Sequence, residues 1–334
     1  MPRKTSIILG LLALLLAAWP AMAETPDDPW QAARAEYKAA DDLVERVAIV
    51  KSFLDANPEH PDIAWAVDTG AYMVGELTGN KKDSVDLVVG QLERTKTPEL
   101  RLAMQVILLD MYGDPDYADR LPGLVDTMYP DTSVMSYVDH LHVIDSANTA
   151  EVWSVVDEYC KLAMPMANPE QFAADYPDRG FSAAVIEESG NHRGATILTF
   201  AGWSLTNQGD LDGALQKFEQ AEPKVRMTLF NTPDNQLDHY WGMTLVKAGQ
   251  EEAGLARLTL AGMYGGDDEA AEMSRKLLAR LHPDQDYDDY TWAIRQQHAP
   301  TRADWQAVDY NDQMQTFANL KGDRATLIAF WSPT

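Results

Sequence analysis

Few side chains in this sequence are of a type and spacing that could do covalent or metal chemistry. The chain has one cysteine, Cys160, so it can form no internal disulfide and cannot cycle between dithiol and disulfide. Cys160 sits beside a stripe of Val152, Val155, Val156, Tyr159 and Ala163, where a thiol serves as a small core residue. The alternative, a thiol that exchanges with a partner, needs exposure and positive surroundings, whereas Asp157 and Glu158 supply negative charge. Asp139-His140-Leu141-His142 sets two imidazoles two residues apart. That spacing puts them on one face of a strand but turns them apart on a helix, and no further ligand follows at zinc spacing. Asp284, Asp286 and Asp288 alternate as in a calcium loop, but Asp289 stands where such a loop needs glycine and Arg295 where it needs glutamate. No Ser-His-Asp order, phosphate-cradling glycine loop or zinc-protease helix motif occurs. No catalytic, cofactor-binding or metal-binding residue is therefore assigned, and no cofactor is expected.

What carries these residues begins with a leader. Pro2-Arg3-Lys4 is basic, Ile7 to Trp19 is a short apolar core, and Ala21-Met22-Ala23 is a small-x-small cleavage site. Residues 1–23 thus read as a secretory signal peptide cut after Ala23, with an uncleaved N-terminal anchor as the alternative. The apolar stretch is shorter than the roughly 20 residues of a comfortable membrane span, so a periplasmic or otherwise exported protein with no stable span after cleavage is expected. The 334 residues are 46% hydrophobic with 9 Trp, enough for a sizeable core, and carry a formal charge of −25. Such a surface is a poor partner for nucleic acid or an anionic membrane, because both are bound through Lys and Arg. The acidity favours solubility.

From Trp30 onward apolar residues recur at helical spacing. Leu43, Val47, Val50 and Leu54 stop at Asn57-Pro58, and Ile63, Val67, Val74 and Leu77 stop at Gly79. Further stripes follow at Val85 to Leu92, Leu100 to Met111, Leu121 to Met128 and Thr149 to Ala163, joined by short turns such as Gly79-Asn80 and Gly113-Asp114-Pro115. Helices joined this tightly pack against their sequence neighbours. Residues 24–283 are expected to form an all-α domain of the α-solenoid kind, with a non-repetitive helical bundle as the alternative. Met164 to Phe181 is expected as a loop with a short helix, and Val225 to Asp234 as an extended connection.

The segment from Ala201 to Ala221 resembles a tetratricopeptide repeat. Gly202 stands at the helix crossing, Leu205 beside it, Gly209-Asp210 at the turn, and Ala214, Phe218 and Ala221 on the second helix. Gly242, Leu245, Gly249, Gly254, Leu258 and Ala261 repeat the pattern, at a spacing longer than the roughly 34 residues of that unit. The resemblance implies tetratricopeptide-like helix pairs that bind a protein partner or client through the repeat surface.

After His282-Pro283, residues 284–304 read as an acidic, aromatic linker with room for one short helix around Tyr290 to Gln297. Thr326 to Trp331 is a continuous β-branched, aliphatic and aromatic run, as in a strand buried on both faces of a parallel sheet. The Leu320-Lys321-Gly322-Asp323 turn, with the strand ending Phe330-Trp331, resembles the opening of TlpA-like thioredoxin domains. Residues 305–334 are therefore expected to be the N-terminal stub of a truncated α/β thioredoxin-like domain, with an ordinary strand of another α/β domain as the alternative. The family's redox Cys-x-x-Cys would begin just after Thr334. The resemblance implies that the parent protein is a thiol-disulfide oxidoreductase and that this chain is inactive, lacking the motif; the alternative is an interaction scaffold without enzymatic activity. A metal-dependent enzyme is remote. An end at that position is expected from a fragment, a nonsense mutation or a selenocysteine codon read as stop.

Overall fold

A computed structural model describes residues 28–225, 235–264 and 267–298, with two short segments at 306–308 and 314–316. The leader, residues 226–234 and the run from 317 to 334, including the expected strand at Thr326 to Trp331, lie outside the described residues.

The described chain is helical through residue 298. The helices are α1 (Pro29–Ala39), α2 (Leu43–Ala56), α3 (Ile63–Thr78), α4 (Lys81–Arg94), α5 (Pro98–Tyr112), α6 (Leu121–Met128), α7 (Tyr137–Thr149) and α8 (Trp153–Ala163). They continue with α9 (Pro169–Asp175), α10 (Ala183–Gln208), α11 (Leu211–Val225), α12 (Asn235–Lys247), α13 (Glu251–Tyr264), α14 (Asp268–Leu281) and α15 (Tyr287–His298). Local chemistry sets many of their ends. Asp28, Asp42, Asn80, Ser182 and Asp267 accept backbone N–H groups of the first turns they precede, satisfying donors that have no partner within the helix. Gly79 and Gly209 close α3 and α10 at φ 64° and 90°, a left-handed conformation that glycine adopts without a Cβ clash. Gly113 closes α5 at the expected turn. Its φ is −62°, and its lack of a side chain serves close approach, since a Cβ there would lie 3.1 Å from the Asp110 carbonyl and 3.4 Å from that of Ser146.

The helices form two compact units. One comprises the described residues up to Met135 with Asp145–Val152, the other Ser136–Ile144 with the described residues from Trp153 onward. The stripe read from Thr149 to Ala163 is broken, because Glu151 takes φ 60° and α8 starts only at Trp153.

Within the first unit each helix from α1 to α6 packs on the next, and α3 also meets α5. Val50, Leu54, Ile63, Val67, Val85, Val88, Met104 and Leu108 are buried between them. In the second unit α10 packs on α8, α9, α11 and α12, α12 on α11 and α13, and α13 on α14 and α15. Contacts between sequence neighbours and next-but-one helices are those of a solenoid. The segment read as linker holds α15, whose Ile294 is buried and whose Tyr287 and Tyr290 pack on the α13–α14 core. Beyond it, β1 (Gln306–Val308) and β2 (Met314–Thr316) pair antiparallel with Ala307 opposite Gln315. The strands of a thioredoxin sheet are not among the described elements.

Two helical glycines give opposite predictions. At Gly90 in α4 an added Cβ meets nothing within 4 Å, so Gly90→Ala is expected to stabilise by about 0.5–1 kcal/mol through helix propensity. At Gly242 in α12 the same atom would lie 2.8 Å from the Leu258 Cγ and 3.0 Å from its backbone nitrogen. The overpacking cost of about 1–3 kcal/mol exceeds the propensity gain, so Gly242→Ala is expected to lower the urea midpoint where Gly90→Ala raises it.

Candidate binding surface

The most developed side-chain constellation lies where α10 and α12 run beside each other. Both helices use one face for the core: Ala195 and Leu198 from α10 and Leu237, Trp241 and Leu245 from α12 surround Phe218, Ala221 and Val225 of α11. Thr206 and Thr244 pin the two helices with a buried hydroxyl hydrogen bond of 2.6 Å. Trp203 and Tyr240 remain half-buried at the edge of this core, against which Tyr240 also packs, and stack with centroids 4.5 Å apart and planes 10° from parallel.

Polar groups surround this platform. The Lys247 ammonium lies 5.1 Å from the Trp203 ring and donates to Asn207 Oδ1 at 3.4 Å, while the Gln236 amide donates to the Tyr240 hydroxyl at 3.5 Å. Beside them His239 Nδ1 meets Asp267 Oδ2 at 2.8 Å. From α13, Arg257 places its guanidinium 3.8 Å from the Trp241 ring centroid and bonds Asp238 at 2.8 Å and Glu222 at 2.7 Å. The platform therefore stands on a helix held from both sides. Aromatic faces give apolar contact at low entropic cost, and Lys247 and Asn207, both exposed, offer a cation and amide beside it.

The residues weighed as chemical candidates sit elsewhere. His140 and His142 lie on α7, the first buried and the second partly exposed, so the helix separates them. Asp286 accepts the N–H groups of Asp288 and Asp289 at 2.9 and 3.1 Å, which makes it the cap of α15. Among the described residues no three His, Cys, Asp or Glu side chains gather as a metal would need, and no helix is long and apolar enough to cross a membrane.

Cys160 is buried on α8, where burial first and Asp157 second push its thiol up to about 12 from 9.0, against a small opposing pull from Lys217. Little thiolate therefore forms at neutral pH. Native protein is expected to resist iodoacetamide at pH 7.5 and to take up one equivalent only in denaturant, as read by mass spectrometry.

His140 is 2% exposed, its ring centroid is 5.7 Å from that of Tyr159, and its Nδ1 has no hydrogen-bond partner among the described residues. Burial lowers its pKa below 6.5, opposed more weakly by Asp139. The folded state therefore binds this proton less readily than the unfolded chain, and the stability it contributes is present above pH 6.5 and lost as pH falls below that value. His140→Phe is expected to flatten the fall in melting temperature between pH 7 and 5; an unchanged slope counts against it.

The Trp203–Tyr240 platform was not assigned from sequence. Its signal was present in Trp203 and Asn207, four apart, and in Gln236 and Tyr240, also four apart. No protein-family model, curated protein or solved structure matches the chain.

Proposed function

We propose that the chain is an exported, tetratricopeptide-like interaction module that binds a client or partner protein through the α10–α12 face. The observation that carries this is the Trp203–Tyr240 platform, built across two helices from neighbouring pairs and bordered by the exposed Lys247 and Asn207. The repeat reading is supported by the glycines at the crossings: a Cβ at Gly202 would lie 2.7 Å from the Phe218 ring, and one at Gly254 would lie 2.9 Å from the Gly242 carbonyl. Peptide selection from a displayed random library on the immobilised chain, followed by calorimetry, tests the proposal. Asn207→Ala with Lys247→Ala is expected to weaken the selected peptide about tenfold without shifting the melting temperature. Failure to select any peptide, or affinity indifferent to the pair, rejects it.

A second reading makes this module the front part of a thiol-disulfide oxidoreductase. It is supported by the turn and strand pattern of Leu320 to Trp331 in the sequence. Codons downstream of Thr334 that encode Cys-x-x-Cys, or a UGA in place of the first cysteine codon, favour that reading, and a different domain there removes it. Amino-terminal sequencing of protein recovered from an exported fraction tests the leader, with Glu24 the expected first residue.

A further inference from the structure

A different face, on the first unit, has its own chemistry. Helix α3 buries Ala66, Val67, Gly70, Ala71, Met73 and Val74, which leaves Trp65 and Tyr72, at i and i+7, along the opposite side, with Asp68 at i+3 toward its edge. Trp65 is 46% exposed and Tyr72 71%. Two large aromatic rings left in solvent on one stripe offer apolar area for a contact. Asp68 stands between them, partly buried. Burial first, and then the charge of Asp110 on the adjoining α5, hold its carboxyl above the usual range, and nothing among the described residues lowers it. An incoming positive charge relieves that unfavourable setting.

We propose that the Trp65–Asp68–Tyr72 stripe docks a basic, apolar segment of a partner protein, taking a Lys or Arg side chain at Asp68. The rings on either side give the cation two aromatic faces and cover its aliphatic stem. A bare divalent ion gains nothing from that apolar cover. The formal charge of −25 draws basic partners toward the chain and repels acidic ones. This surface is separate from the α10–α12 platform, and the two proposals can fail independently.

The probe is an acetylated peptide of alternating Lys and Leu, titrated calorimetrically into the full chain at low salt, with alternating Glu and Leu as control. The Lys peptide is expected to bind, the Glu peptide not to bind, and affinity to fall as salt rises. Asp68→Asn and Tyr72→Ala are each expected to weaken the Lys peptide about threefold, and together about tenfold, the scale of one ion pair with one cation–π contact. Asp68→Asn also removes a carboxylate from an unfavourable site, so its melting temperature is expected to stay level or rise. Binding lost together with stability would point to unfolding and overturn the assignment. Equal binding of both peptides, affinity indifferent to both substitutions, or displacement of the peptide by calcium also overturns it. Variants of Asn207 and Lys247 are expected to leave this affinity unchanged.

Discussion

Phe218→Ala is expected to cost about 3–5 kcal/mol, the range for truncating a buried aromatic ring, measured as lost hydrogen-exchange protection across α10–α13. Phe218 is fully buried, stacks on Trp241 with centroids 6.1 Å apart, and faces Gly202 across the α10–α11 crossing. The loss combines removed apolar contact with the cavity left behind, because helices held by short turns collapse only partly into it. A second substitution turns this into a test of geometry. Gly202→Ala alone places a methyl 2.7 Å from Phe218 Cε1 and 2.9 Å from its Cζ, forcing a shift that costs about 1–3 kcal/mol. In the double variant the methyl enters vacated space, so the combined loss is expected to fall short of the sum by about 1 kcal/mol or more. Strict additivity would show that the ring and the glycine do not share the crossing.

Asp175→Ala is the other large effect, expected at about 3–5 kcal/mol, because it leaves a buried guanidinium without its carboxylate. Arg193 is 6% exposed on α10, bonds Asp175 of α9 at 2.5 Å, and lies 4.4 Å from the Tyr137 ring, 4.9 Å from Phe172 and 5.7 Å from Tyr176. The Tyr137 hydroxyl donates to the Arg193 carbonyl at 3.3 Å. Arg193→Met keeps much of the volume against the three rings and leaves Asp175, which is 25% exposed, able to hydrate. It is expected to cost less than half as much, and adding it to Asp175→Ala is expected to recover part of the loss. Urea titrations of the three variants read the order. Arg193→Met proving the costlier single change would mean that stacking, rather than charge pairing, holds α9 to α10. The close approach of Gly190 to Pro169, with a Cβ there only 2.2 Å from the proline nitrogen, shows how little room α9 has to move.

Much of the helical half was legible because its determinants are local. Apolar residues at helical spacing, the left-handed stops at Gly79, Gly209 and Gly249, and the Asp and Asn caps act within a turn or two of themselves. Gly202, Phe218 and Gly242 could be assigned packing roles because helices joined by a short turn must cross near such small residues. The break at Glu151 was not legible, since Val152, Val155 and Val156 keep helical spacing across it and only the backbone turn separates α7 from α8. Nor was the packing of α15, whose acidic and aromatic sequence reads as a solvated connection until Tyr287, Tyr290 and Ile294 find the α13–α14 core.

By itself the sequence determined helix positions, turn glycines, the absence of a dithiol and the acidic surface, because each depends on residue identity and near neighbours. Tertiary structure alone decided that Trp203 meets Tyr240, that Arg193 lies among three rings beside Asp175, and that Asp68 feels Asp110. Each of these joins different helices, and their meeting depends on rotation and crossing angle. Those are set by the fit of whole helix faces, which short-range spacing does not encode.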